Sequence, residues 1–203
     1  MERLHSPILG LKNFNNWVKS VLITRFAHPV LAASSVRSRG SRSGSGKVLD
    51  MGCGKGGDLT KWNKARVTEF YGVGSWSFLP RLSPTLTFCS WIPSDIAAVS
   101  VDQARSRWEA FRPPRFDANF AALDCYSESL SKAFPPAKLA QPFDVVSMQF
   151  CMHYAFESLQ KARCMLDNVS RWLRPGGVFI GTIPNADQLL YIPLSSTLCL
   201  LRC

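Results

Sequence analysis

The 203-residue chain is short of acids: 14 Asp and Glu stand against 24 Lys and Arg, a formal net charge of +10. That imbalance excludes a surface that repels polyanions and favours a partner carrying phosphates, because cations that neutralise phosphates release condensed counterions. Nucleic acid is the first partner expected and an anionic membrane surface the second. Four of the cations, Arg37, Arg39, Arg42 and Lys47, fall in or beside one Ser/Gly-rich stretch, and a solvated linker accounts for them equally well. The sequence has no run of the ~20 apolar residues that a membrane-spanning helix needs, and no long apolar segment at its N-terminus, so neither a membrane span nor a secretory leader is expected. Its seven cysteines include no C-x-x-C pair and no Cys/His spacing for zinc, which argues against a disulfide framework or a metal centre and for a reducing compartment, cytosol or nucleus. What remains, 46% hydrophobic and 19% charged, is the composition of a globular domain with a real core.

Asn13 to Phe26 places Phe14, Trp17, Val18, Val21, Leu22 and Phe26 at helical spacing, an apolar stripe expected to pack, with Asn15, Asn16 and Lys19 off it. VRSRGSRSGSG, Val36 to Gly46, reads as a flexible connection that sets this helix apart from the domain proper. Then follow a strand at Lys47 to Met51, a glycine cluster, a helix from Leu59 to Ala65, a strand at Val67 to Val73, a helix from Ile96 to Phe111 and a third strand around Phe120 to Leu123. Phe143 to Phe150 is apolar nearly throughout, as a strand buried on both faces should be. Leu159 to Leu173 is a helix ended by Pro175-Gly176-Gly177, before a strand at Val178 to Ile183. The alternation predicts an α/β fold, a parallel Rossmann-like sheet with helices on both faces.

Two stretches interrupt it. Gly74 to Ser94 is long and apolar with Arg81 its only charge, and Tyr191 to Cys203 is apolar and patternless. Both are expected to be translated non-coding sequence, a retained intron and an early end, leaving the sheet without its last strands. The expected organisation is an N-terminal helix within 1–33, a basic linker at 34–46, a core at 47–190 that carries the anomalous 74–94, and a tail at 191–203.

The strongest motif is VLDMGCGKGGD, Val48 to Asp58. Gly52, Gly54 and Gly57 satisfy G-x-G-x-x-G, which also admits a nicotinamide-dependent dehydrogenase. Asp50, just before the turn, tilts the balance: it suits a cationic amino-acid group and repels a pyrophosphate. Asp95 falls where a carboxylate takes both ribose hydroxyls or, alternatively, caps a helix. Asp124, ending the third strand, is placed for an adenine amino group, or is an exposed loop acid. The motif so resembles the first motif of class I methyltransferases.

Five segments make the resemblance specific: SPILGLKNFNNWVKSVLI, VLDMGCGKGGDLTKW, DIAAVSVDQARSRWE, FDVVSMQFCMHYAFES and LRPGGVFIGTIPN. Together they resemble the messenger-RNA cap guanine-N7 methyltransferases, fungal forms especially, over the N-terminal part of that family's catalytic domain. The resemblance implies S-adenosylmethionine as cofactor, held by Lys19 at the methionine carboxylate, Asp50 and Gly52 at its amino-acid end, Asp95 at the ribose and Asp124 near the adenine, with Gln149 and Tyr154 lining the pocket. It implies the GpppN end of capped RNA as substrate, with Asn15 and Asn16 on its sugar or phosphates, Lys55 and Arg107 on the triphosphate, and Phe150, His153, Tyr154 and Pro184 around the guanine. It implies a nuclear protein, with proteins of the capping apparatus as further candidate partners. Guanine N7 is nucleophilic as it stands, so no catalytic base and no metal is expected, and rate comes from positioning by Phe150, His153 and Tyr154. Lone His153 reads as a hydrogen-bond donor to the purine or as a satisfied core residue. QFCMHY stands where amino-nitrogen methyltransferases of nucleic acids carry an Asn/Asp-Pro-Pro-aromatic loop, so an exocyclic amine is not the expected target. The competing expectation is a non-catalytic or misfolded fragment that binds cofactor or RNA weakly.

Overall fold

The computed structural model describes residues 9–37, 46–74 and 95–185. Among these, five strands form one parallel sheet in the order β3-β2-β1-β4-β5. They are β1 (Lys47–Met51), β2 (Glu69–Gly74), β3 (Asp117–Ala122), β4 (Phe143–Gln149) and β5 (Leu173–Thr182). The order reverses between β1 and β4, and the crevice beyond their C-terminal ends is where doubly wound sheets receive ligands. Helices α3 (Leu59–Lys64), α4 (Asp95–Glu109), α5 (Pro136–Leu139) and α6 (Leu159–Trp172) lie between the strands. No helix among the described residues is long and apolar enough to cross a membrane.

β1 and β4 are buried at every position, which is why apolar residues stand on both faces without alternation and why their polar residues, Lys47, Asp50, Asp144, Ser147 and Gln149, are buried too. Neighbouring residues of one strand face opposite sides and so enter different cores. Leu49, Tyr71, Val146 and Met148 pack with Met165 and Val169 of α6. Val48, Phe70, Val145 and Ile180 pack with Trp62 of α3 and with Ile23, Ala27 and Leu31 of the N-terminal segment.

That segment differs from expectation. The helix runs further, as α1 (Leu9–Leu22), a π-helical turn (Ile23–Ala27) and α2 (His28–Arg37). Residues 34–37, expected in the linker, are helical, and 38–45 lie outside the described residues. The stripe expected to pack does not: α1 buries no residue, and Phe14 and Trp17 are 57% and 61% exposed. The packed line is Ile23, Ala27, Leu31 and Ser34, spaced three and four apart, with small Ala27 allowing close approach to the sheet. The segment is therefore part of the domain core rather than a separate element.

Smaller differences follow from local chemistry. β3 starts at Asp117, earlier than expected, and Pro175-Gly176-Gly177 lies inside β5 rather than before it. The β4–β5 register jumps from Phe143–Leu173 to Val145–Val178, so Arg174 to Gly177 bulge. Of the anomalous stretch 74–94, Gly74 ends β2 and 75–94 lie outside the described residues, as does the tail 191–203.

The bulge directs Arg174 onto Asp144, which is buried. Arg174 Nε donates to Asp144 Oδ1 at 2.6 Å, the Ser34 hydroxyl donates to the same oxygen, and the Gly46 and Lys47 amides donate to Oδ2 at 3.1 and 2.9 Å. Burial by itself raises the carboxyl's pKa, but the Ser34 and Arg174 bonds and the Lys47 amide outweigh it and hold it below the ordinary carboxylate range. One acid thus ties α2, the start of β1, β4 and β5 together. Asp144→Ala leaves a largely buried guanidinium without its partner and is expected to lower stability by about 3 kcal/mol in urea unfolding at neutral pH. Because the folded pKa is depressed, the difference from wild type must shrink as pH falls below about 4. A constant difference across that range would contradict the assignment.

Candidate cofactor and substrate site

β1 ends in Asp50 and Met51, and the chain then turns through Gly52 to Asp58 into α3. The turn is anchored by the Gly52 and Cys53 amides, which both donate to the Val73 carbonyl at 2.8 and 2.9 Å. Gly52 has φ +83°, and a Cβ there would lie 2.5 Å from Cys151 Sγ. Gly56 has φ +73°, and a Cβ there would meet Ala104 of α4 at 3.0 Å. Both positions therefore require glycine. Gly57, the third glycine of the sequence pattern, meets nothing within 4 Å; it is Gly56 that brings α4 against the turn.

Asp50 is buried beneath this turn. Burial and the nearby Asp58 carboxylate raise its pKa to about 7, a shift moderated by Lys19 and by hydrogen bonding from Ser147, the residue it faces across β4. The Trp62 indole N–H, which makes no full hydrogen bond, leans on the same carboxylate. Ser147 Oγ accepts from Gln149 Nε2 at 3.2 Å, and Gln149 Oε1 accepts from the Thr182 hydroxyl at 3.2 Å. A polar line thus crosses from β5 through β4 to Asp50.

Lys19, from α1, donates to Asp58 Oδ2 at 2.8 Å, and Lys61 donates to Asp58 Oδ1 at 2.8 Å. Lys61 Nζ also reaches Asn16 Oδ1 at 3.2 Å. Lys19 Nζ sits 5.6 Å from the centre of the Phe150 ring. Asp58 is thus the anchor that brings the N-terminal helix over the ends of β1 and β4. It stands in the quoted glycine motif, where an acid four residues after Gly54 was the signal for a charge partner.

After β4 the chain turns sharply. Phe150 has φ +58°, an uncommon conformation for a bulky side chain and one found where surroundings over-determine it. Its amide donates to Thr182 Oγ1 at 2.8 Å. Cys151 Sγ donates to the Met51 carbonyl at 3.1 Å. Burial raises the Cys151 thiol to about 12 and also raises Cys53 and Cys125, so these thiols are protonated and poor nucleophiles. The His153 and Tyr154 rings stand 4.0 Å apart. Burial lowers the His153 pKa, and its Nδ1 is buried without a hydrogen-bond partner.

The structure brings Lys19, Asp50, Gly52, Gln149 and Phe150 together, with Asn16 joined through Lys61 and with His153 and Tyr154 on the following turn. Asp124 follows β3; its Oδ1 accepts from the Tyr126 amide at 3.1 Å and its Oδ2 from the Ser127 hydroxyl at 2.8 Å. Asp95 is the first residue of α4, with its side chain outside what is described. Lys55 and Arg107 are exposed beside and one turn beyond the Gly56–Ala104 contact. Asn15 is half-buried and Pro184 is exposed just beyond β5.

The strand order, the glycine turn after β1 and the acid buried beneath it make this the Rossmann-like fold of class I methyltransferases. A family model described as the mRNA (guanine-N(7))-methyltransferase domain matches residues 1–75 and 86–196, and the chain belongs to that family. Similar proteins include the mRNA cap guanine-N(7) methyltransferases of Cryptococcus neoformans, 48% identical over 94% of this chain and 22% of that protein, and of Schizosaccharomyces pombe, 45% identical over 93% and 43%. An Oryza sativa mRNA cap guanine-N(7) methyltransferase 1 is 37% identical over 93% of this chain and 42% of its own length. The chain therefore spans between 22% and 43% of the length of these relatives. Among solved structures, a SAM-bound amino pentose methyltransferase from Micromonospora echinaspora matches with a TM-score of 0.43 at 21% identity, over 78% of this chain and 51% of that one. The family model leaves out 76–85, inside the stretch 74–94 that interrupts the sequence pattern, but it covers 86–94 and runs to 196, so those parts of the two stretches expected to be foreign match the family.

S-adenosylmethionine is the cofactor of this family, and the site fits its amino-acid end: a buried carboxylate needing a cation, a cationic Lys19 beside it, and a glycine where a Cβ has no room. An ammonium beside Asp50 favours the ionised carboxylate, so binding of S-adenosylhomocysteine is expected to release a proton at pH 6 and almost none at pH 8. Calorimetric titrations in buffers of different ionisation enthalpy read this directly. Asp50→Asn should abolish the pH 6 release and weaken binding roughly ten- to a hundredfold; unchanged affinity would contradict the role. In the free protein the raised pKa acts the other way: stability falls as pH rises from about 4 through 7, and Asp50→Asn should flatten that slope.

Proposed function

We propose that this chain transfers a methyl group from S-adenosylmethionine to N7 of the guanosine cap of messenger RNA. The observation that carries the reading is the family match across 1–75 and 86–196; it is supported by Lys19, Asp50 and Gln149, which lie near the C-terminal ends of β1 and β4. The nucleus is the proposed location, the GpppN end of RNA the substrate, and proteins of the capping apparatus further partners.

The cofactor, when bound, supplies a methyl group activated on a sulfonium. Asp50 takes the ammonium of its amino-acid end and Lys19 the carboxylate, with Gly52 leaving room for both; Asp95 serves the ribose, Asp124 the adenine, and Gln149 and Tyr154 line the pocket. Phe150, Tyr154 and Pro184 hold the guanine by its faces and edges, as aromatic rings hold any purine. Asn15 and Asn16 meet the cap's sugar or phosphates, and Lys55 with Arg107 supply charge-assisted bonds to its triphosphate. His153, kept neutral by its burial, offers Nδ1 as a hydrogen-bonding group. Guanine N7 carries a free lone pair, so no residue needs to remove a proton; orientation of N7 toward the methyl supplies the acceleration.

The test is incubation of the chain with methyl-labelled cofactor and GpppA-capped RNA, followed by nuclease digestion. The expected product is m7GpppA, with uncapped RNA and ApppA-ended RNA unlabelled; label in the RNA body or on an exocyclic amine would overturn the reading. Because no base is used, the rate constant of the bound complex is expected to stay flat from about pH 6.5 to 8.5 in wild type. His153→Ala should lower kcat/KM for the cap about tenfold, the worth of one hydrogen bond in a dry site, without creating a pH dependence. A sigmoid in wild type that disappears in the variant would identify His153 as a base instead.

A further inference from the structure

The loop after β3 and the turn after β4 meet at one atom, the carbonyl oxygen of Cys151. Tyr126 is 1% exposed, and its hydroxyl donates to that carbonyl at 2.8 Å; the Tyr154 amide donates to the same oxygen at 3.2 Å. At its other end Tyr126 is fixed to the adenine-side acid, since its amide donates to Asp124 Oδ1 at 3.1 Å. The loop has little freedom of its own. Asn168 of α6, also buried, donates to the Cys125 and Glu128 carbonyls at 3.0 and 2.8 Å and accepts from the Leu130 amide at 3.0 Å. The turn at the far end is pinned by Cys151 Sγ on Met51 and by the Phe150 amide on Thr182. Phe150 holds its left-handed backbone conformation between those two points.

We propose that Tyr126 is a positioning residue, a phenol-to-carbonyl strut that sets the 150–154 turn carrying Phe150, His153 and Tyr154 according to the position of Asp124. Contacts made by Asp124 on one side are thereby felt by the aromatic residues on the other, although Tyr126 touches neither ligand. A rigid ring suits this role better than a flexible chain, because moving its backbone end by a fraction of an ångström must move the hydroxyl or break its bond. The role rests on the function proposed above for its consequence in catalysis, but the strut itself is a property of the free protein.

Tyr126→Phe keeps the ring and removes only the hydroxyl. Hydrogen exchange of the free protein is the first reading: the 150–157 segment should exchange at least fivefold faster in the variant, with α6 unchanged. Methyl transfer to GpppA-capped RNA is the second: kcat/KM for the cap should fall about tenfold, with the dissociation constant of S-adenosylhomocysteine within twofold of wild type. Tyr126→Met, which fits within the same pocket and also lacks the hydroxyl, should give the same split and serves if the phenylalanine variant folds poorly. Faster exchange in a chain whose wild type transfers no methyl would overturn the proposed function and leave the strut standing. Unchanged exchange at 150–157, or a loss of cofactor affinity in step with the loss of transfer, would overturn the strut.

Discussion

Asp144 accepts four hydrogen bonds from three parts of the chain, and the placement of the N-terminal helical segment, and with it Lys19, depends on them. The Ser34 bond adds a polar anchor to the apolar contacts that Ile23, Ala27 and Leu31 make on the sheet. With it, the continuous helical segment from Leu9 to Arg37 has a fixed direction, and Lys19 is delivered to Asp58 some four turns earlier. The same acid orders the entry to β1 through the Gly46 and Lys47 amides and closes the β5 bulge through Arg174. A buried charge with this many partners is a poor source of net stability but a strong device for fixing one arrangement, and here the arrangement is the one that places an N-terminal lysine at the far end of the sheet.

The charges at the ends of β1 and β4 are unevenly paired. Asp50 and Asp58 repel one another across the glycine turn, and of the two acids it is Asp58 that forms ion pairs with Lys19 and Lys61. Asp50 is left with a neutral donor in Ser147 and a deficit of positive charge, the condition an incoming ammonium relieves. Neutral groups continue the same line: Ser147, Gln149 and Thr182 are buried and bonded to one another, so the acid is oriented without being neutralised. On the turn after β4 the reverse applies: paired aromatic rings, a histidine whose pKa burial lowers and thiols whose pKa burial raises give a surface without an ionised nucleophile.

The parts of this that were legible in the sequence are those fixed by local chemistry. β1 and β4 are legible from apolar residues at successive positions, Val48-Leu49 and Val145-Val146, because both faces are covered, and Asp50 and Gly52 stand at the mouth of a turn whose glycines have steric work to do. The N-terminal segment was misjudged because it has two apolar lines, and the larger, Phe14, Trp17, Val21 and Phe26, is the exposed one; nothing in periodicity says which line meets the sheet. The linker was read too early because Ser34 and Ser35 look like linker residues, whereas Ser34 is a buried donor whose acceptor lies 110 positions away. Gly57 satisfied the spacing pattern while Gly56 takes the contact with Ala104, a choice set by backbone dihedrals that composition does not encode. Tyr126 and Asn168 carried no signal at all, because their partners are main-chain carbonyls, and any sequence supplies those.

The proposed role of Lys19, carried by α1 to Asp58 beside Asp50, is to complete the site for the cofactor's amino-acid end. The most direct measurement compares two ligands, S-adenosylhomocysteine and methylthioadenosine, which share the nucleoside and differ in the amino-acid end, in calorimetric titrations of wild type and Lys19→Ala. The account predicts that the variant loses at least tenfold in its preference for S-adenosylhomocysteine while its affinity for methylthioadenosine is unchanged. Equal loss for both ligands, or none for either, would contradict it.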